Sequence, residues 1–75
     1  MKKDKFYNEY MKLMNKEIAN LKEEKETFLT VSKRYKDIGN IPQAKKGEEY
    51  AEETQFLITE FIMLRTKMIA LHNSL

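Results

Sequence analysis

Large apolar side chains recur every seven residues along this chain, in two long blocks separated by one short break. In the first block the positions are Tyr7, Met14, Leu21, Phe28 and Tyr35, accompanied by Met11 and Ile18. In the second block they are Tyr50, Leu57, Leu64 and Leu71, accompanied by Gly47, Phe61 and Met68. This period is typical of helices that pack along a coiled-coil-like seam. The pattern predicts one helix over about residues 4–38 and a second over about residues 41–73.

The break at residues 39–41 has the chemistry of a tight turn between helices. Gly39 suits the left-handed position that follows a helix, and Asn40 suits the N-cap of the next helix. Gln43 stands three residues after Asn40, as in a capping box, and Pro42 falls in the first turn, where its missing N–H is harmless. So short a connection makes the helices antiparallel neighbours. The sequence therefore predicts an all-α fold, an antiparallel two-helix hairpin that dimerises into a four-helix bundle.

The two seams can be aligned by choosing a register for the hairpin. Pairing positions whose numbers sum to 82 places Tyr35 opposite Gly47 and Tyr7 opposite Leu75. Glycine inside a helix costs about 1 kcal/mol relative to alanine. A facing tyrosine ring would explain why the chain carries glycine at that position.

The second helix has more apolar residues than its seam uses. The surplus residues are Phe56, Ile58, Ile62, Met63, Ile69 and Ala70. A helix that is apolar almost all round is normally buried on more than one side, and exposed patches of this kind mark interfaces. We expect these six residues to form the interface of a homodimer. A protein partner of unknown identity is the alternative occupant, and a membrane surface is not favoured because the polar strip is poor in Lys and Arg.

Composition narrows the class of protein only a little. The chain has 75 residues, no cysteine and a net charge of +2, with lysine outnumbering arginine twelve to two. That lysine bias is typical of AT-rich genomes, including those of low-GC bacteria and their phages. The apolar stretch 56–71 contains Glu60, Arg65 and Lys67, so it is too charged to span a bilayer. Because no signal-peptide core follows the first residues, we expect a cytoplasmic protein.

The sequence carries no recognisable catalytic, cofactor or metal motif. His72 is the only histidine, and no Cys–His pair, Glu-x-x-His motif or glycine-rich phosphate loop occurs. We therefore expect a protein that is not an enzyme and that holds no cofactor.

The leading functional prediction is a small regulatory or inhibitory protein, of phage or mobile-element origin, that acts by protein–protein interaction. Its candidate partner-binding residues are Lys12, Lys16, Lys22, Glu48, Glu49, Glu52 and Glu53. The shape is also similar to Rop-type hairpins, and that resemblance implies a dimeric nucleic-acid-binding hairpin that uses the lysines of the first helix. A purely structural oligomerisation module is the third alternative.

Overall fold

The computed structural model describes residues 2–74 and the side chains from Asp4 to Ser74. Helix α1 spans Lys2–Asp37 and helix α2 spans Ile41–Ser74. The two helices pack side by side in a thin rod that measures 57 × 15 × 10 Å along its principal axes. The predicted all-α helical hairpin is confirmed.

The connection between the helices is a Schellman turn centred on Gly39. Gly39 has a φ of 80°, which glycine adopts without the steric cost that a Cβ would bring. Its N–H donates to the carbonyl oxygen of Lys36 at 3.0 Å, and the N–H of Asn40 donates to that of Tyr35 at 2.8 Å. These two bonds satisfy carbonyls that the end of α1 would otherwise leave without partners.

Asn40 also begins α2, as its residue type predicts. Its side-chain Oδ1 accepts a long hydrogen bond of 3.4 Å from the N–H of Gln43, and its carbonyl oxygen accepts from the N–H of Ala44 at 3.1 Å. The reciprocal bond of a capping box does not form, because the N–H of Asn40 is already donated to Tyr35. Asn40 therefore closes one helix and opens the next.

The seam of α1 follows the predicted seven-residue pattern. Met14, Ile18 and Ser32 are buried in this seam. The flanking seam residues are half-buried: Tyr7, Met11, Leu21, Lys25, Phe28 and Tyr35. This stripe is the surface that α1 presents to α2 along the whole rod.

The predicted seam of α2 is wrong by one position of the seven-residue repeat for one of its two stripes. Gly47, Phe61 and Met68 are half-buried, as expected for seam residues. Tyr50, Leu57, Leu64 and Leu71 were expected to face α1, but they are 44%, 46%, 46% and 60% exposed. The residue that follows each of them turns toward α1 instead: Ala51 and Ile58 are buried, and Arg65 and His72 are half-buried. Ile58, which was assigned to the dimer interface, is only 3% exposed and belongs to the core of the hairpin.

The register is also wrong, by about three residues. Gly47 lies against Ser32 and Phe28 rather than against Tyr35: a Cβ built on Gly47 would be 2.9 Å from the Ser32 Cβ and 3.2 Å from the Phe28 carbonyl oxygen. The short turn centred on Gly39 requires residues at equal distances from it to face each other. A shift of three residues would move one helix by roughly 4.5 Å along its axis, which three connecting residues cannot absorb. The expected layer between Tyr7 and Leu75 involves a residue outside the described part of the chain.

Small side chains bring the helices close together beside the turn. Ser32 of α1 faces Ala44 and Gly47 of α2, and Ser32, Ala44 and Ala51 are each 3% exposed. The buried Ser32 hydroxyl donates a hydrogen bond to the carbonyl oxygen of Ala44. This close approach aligns the two helices and determines which stripes of α2 are left uncovered.

Candidate protein-interaction surface

The hairpin exposes much more surface than a compact protein of its mass. Its accessible surface is 6164 Å², whereas a compact monomer of 9.0 kDa exposes about 4,900 Å². Among the side chains from Asp4 to Ser74, the buried hydrophobic residues are Met14, Ile18, Ala44, Ala51 and Ile58. Two packed helices therefore bury one narrow seam and leave the rest of their apolar side chains in contact with solvent.

One uncovered stripe runs along α2 beside the seam. Tyr50, Leu57, Leu64 and Leu71 stand seven residues apart, so they form one continuous ridge on a helix that packs with this period. We call this stripe the leucine ridge. Each member lies one residue before a residue that faces α1, which places the whole ridge on the same side of the hairpin.

The N-terminal third of α1 adds apolar side chains to that same side. Phe6 and Leu13 also lie one residue before seam residues and are 64% and 61% exposed. In an antiparallel pair of right-handed helices, the flank that precedes the seam of one helix lies on the same side of the pair as the flank that precedes the seam of the other. Tyr10, half-buried, stacks on Phe6 with 6.3 Å between ring centroids. We call the ridge together with Phe6, Tyr10 and Leu13 the leucine face.

The opposite side of the hairpin is more polar. There the Lys25 ammonium donates a hydrogen bond to Gln55 Oε1, and Arg65 Nη1 donates one to Asn15 Oδ1, each at 2.8 Å. The surplus isoleucines also follow seam residues and lie on this side, with Ile62 half-buried and Ile69 37% exposed. Amide and charged groups therefore break up the apolar surface here.

A second apolar stripe lies on the outer side of α2, away from α1. Phe56, Met63 and Ala70 are seven residues apart and exposed, Phe56 by 65% and Met63 by 54%. We call this stripe the outer ridge. The positions three and four residues away are neighbours on a helix surface, and for Phe56 three of these four carry carboxylates: Glu52, Glu53 and Glu60. Phe56 is thus an exposed aromatic ring surrounded by acidic groups.

The charged residues proposed as partner-binding are all on the surface. Lys12, Lys16 and Lys22 are exposed on α1, and so are the four glutamates of α2: Glu48, Glu49, Glu52 and Glu53. The exposed Glu9, Glu17 and Glu23 alternate with the α1 lysines. The structure therefore gathers the acidic residues around the outer ridge, whereas it leaves the basic residues mixed with acids.

Two polar residues in the seam were not expected from the sequence. Arg65 is half-buried beside Asn15, and the His72 ring stacks on Tyr7 with centroids 3.8 Å apart. His72 Nε2 is 3.8 Å from Asp4 Oδ1. Arg65 and His72 continue the seven-residue series that begins with Ala51 and Ile58. The sequence could have indicated their position only if the correct seam of α2 had been known. The contacts of His72 join the end of α2 to the start of α1.

Within residues 2–74, neither helix has a stretch long and apolar enough to cross a membrane. Over the same part of the chain, no three His, Asp or Glu side chains come together as a set of metal ligands. No protein-family model matches the chain, and searches of curated proteins and of solved structures also give no match.

Proposed function

We propose that this protein acts without catalysis, as a small regulatory or inhibitory protein that binds another protein and masks part of its surface. The observation that supports this is the outer ridge, where Phe56 and Met63 are uncovered on a rigid helix. Large exposed aromatic side chains are the residues that most often dominate binding energy when a partner covers them. A helix that offers anchors at seven-residue spacing is suited to an apolar groove.

The acidic groups around Phe56 define the chemistry of the partner. A groove that accepts the ring also meets Glu52, Glu53 and Glu60 at its rim. The partner is therefore a protein with an apolar groove bordered by Lys or Arg. Such charge complementarity speeds association and excludes other partners more than it adds affinity, so binding should slow as salt concentration rises.

We also propose that the hairpin forms a homodimer, a four-helix bundle. Its support is the surface that the single hairpin exposes beyond a compact protein of its mass, about 1,300 Å². A standard interface needs about 800 Å² from each partner. The dimer would present two copies of the outer ridge, which strengthens binding to any partner that has two sites.

The experiment is capture from an extract of the source cells, followed by binding measurements with the purified captured protein. Phe56→Ala should weaken its affinity by at least about tenfold, as is usual for an aromatic anchor. The control is Val31→Ala, which truncates an apolar side chain of α1 that is 43% exposed; it should leave the affinity unchanged. The double reversal Glu52→Lys/Glu53→Lys should slow association.

Two results would contradict this function. One is capture that Phe56→Ala leaves unchanged. The other is salt-sensitive binding of RNA or DNA in a gel-shift assay, lost when Lys12 and Lys16 become glutamate, because this is the behaviour of a nucleic-acid-binding hairpin.

A further inference from the structure

We propose that the second copy of the chain docks on the leucine face, and that the outer ridge stays free in the dimer. This inference rests on the homodimer proposed above and specifies its surface. It reverses the expectation from the sequence, in which the leucine ridge closed the hairpin and Phe56 and Met63 formed the dimer interface. The positions and neighbours of the exposed residues in the leucine ridge and in the outer ridge favour the leucine face as the dimer surface.

The leucine ridge has the spacing and direction of a second helix-packing seam. Tyr50, Leu57, Leu64 and Leu71 place a large apolar side chain at the same position of four consecutive seven-residue repeats. One step along an α-helix turns the side-chain direction by about 100°, so Leu57 points roughly a quarter turn away from Ile58. In a four-helix bundle, each helix contacts two neighbours in directions of this kind. α2 therefore carries one seam for α1 and a second, unoccupied one for another chain.

The leucine face also extends across both helices, whereas the outer ridge does not. Phe6, Tyr10 and Leu13 lie on the same side of the rod as Leu64 and Leu71, which the antiparallel arrangement brings to the same end. The outer ridge occupies the side of α2 remote from α1, so it gains nothing from α1. A side of a rod 57 Å long and 15 Å wide has the size of a standard interface, about 800 Å² per partner.

Charged residues place the centre of the contact near the chain termini. In the middle of α1, the flank on this side carries the exposed Glu17 and Glu24, which are costly to bury without partners, and nearer the turn its one apolar residue is the smaller Val31. Toward the termini the same flank carries Tyr10, and Phe6 and Leu13 lie beside it. The second copy therefore covers Leu64, Leu71 and the aromatic residues of α1 most completely, and the contact loosens toward Tyr50.

The test compares two matched double variants by sedimentation velocity across a range of concentrations. Leu57→Glu/Leu64→Glu changes the leucine face, and Phe56→Glu/Met63→Glu makes the same change one residue earlier, at positions that are more exposed in the hairpin. The unchanged chain and the Phe56/Met63 variant should sediment as dimers with twice the chain mass of 9.0 kDa. The Leu57/Leu64 variant should dissociate at least about 100-fold more readily, because its carboxylates would lie against apolar side chains.

A milder substitution keeps the test valid if the glutamates prevent folding. The chain has no cysteine, so Leu64→Cys and Met63→Cys each introduce a single thiol. At high protein concentration, alkylation of the thiol at position 64 should slow by about tenfold or more relative to dilute protein, whereas position 63 should react at one rate throughout.

Any of these outcomes overturns this inference: equal protection of the two thiols, protection of position 63 alone, or dissociation of the dimer by Phe56→Glu/Met63→Glu. If the unchanged chain stays a monomer, the homodimer itself fails, while binding of a partner protein through Phe56 is tested separately by the capture experiment. A dimer that Leu57→Glu/Leu64→Glu leaves intact also overturns this inference, although the homodimer itself then stands.

Discussion

Replacing Gly47 with alanine perturbs the closest approach of the two helices by a single methyl group. A Cβ at this position would be 2.9 Å from the Cβ of Ser32 and 3.2 Å from the carbonyl oxygen of Phe28. The first distance is shorter than carbon atoms tolerate, and the second atom belongs to the backbone, which cannot rotate away. The helices must therefore separate near the turn to accept the methyl group.

The structure indicates a net loss of stability. Alanine in place of glycine favours the helix by about 1 kcal/mol. Against this gain, overpacking of a close contact costs about 1–3 kcal/mol. Separation of the helices also strains the buried bond from Ser32 to Ala44, and such a bond contributes about 1 kcal/mol. We expect a net destabilisation of about 1–2 kcal/mol, which lowers the Tm of a domain of this size by roughly 4–15 °C.

Thermal unfolding followed by circular dichroism, at one fixed protein concentration, measures this change. Thr59→Ala is the control, because Thr59 is exposed in the same helix and its replacement raises helix propensity without a clash. In a Ser32→Gly background, Gly47→Ala should cost less, since the nearest atom is gone. A Tm that rises with Gly47→Ala in the unchanged background would refute the register described here.

Three further substitutions test the turn and the core. Gly39→Ala places a Cβ on a residue with φ of 80° and should lower the unfolding free energy by about 1 kcal/mol; a neutral result in a urea titration would contradict the left-handed turn. Asn40→Ala should lower the unfolding free energy by about 1 kcal/mol, whereas Gln43→Ala should leave it almost unchanged. Equal losses in the same titration would indicate that the capping box forms. Ile58→Ala should lower the unfolding free energy by about 2–5 kcal/mol, and Leu57→Ala should lower it clearly less when unfolding is measured in dilute protein. The reverse order would indicate that Leu57, rather than Ile58, faces α1.

The turn and the seam of α1 could be predicted from the sequence because their signals are local. Gly39 and Asn40 each have a residue type that suits one position in the turn, and the structure uses both as expected. In α1 only one stripe is strongly apolar over the whole length. A single candidate stripe leaves no choice about which side of the helix faces its neighbour.

The seam of α2 could not be chosen in the same way, because that helix has several apolar stripes. Hydrophobicity favours the large leucines, yet the structure turns Ala51 and Ile58 toward α1 and buries both. The short turn fixes the register, and small residues beside it allow the helices to approach closely. Both are properties of the pair of helices, so the pattern of α2 alone does not contain them.

The candidate surface was also predicted from the sequence only in part. Exposure of Phe56 and Met63 was expected from the surplus of apolar residues and agrees with the structure. The leucine ridge is not predicted as an exposed surface, because the sequence pattern places its four residues in the seam. The seam positions of Arg65 and His72 are not predicted for the same reason. A shift of one position in the seven-residue repeat thus explains why the leucine ridge is exposed and the residues that follow its members face α1.

The most direct test of the central claim, that the apolar surface left on α2 is an interface between proteins, is the mass of the purified chain in solution. Sedimentation equilibrium at concentrations from about one to one hundred micromolar should give twice the chain mass of 9.0 kDa in the upper part of the range. A mass of one chain throughout that range would contradict the account of the leucine face as the contact between two copies.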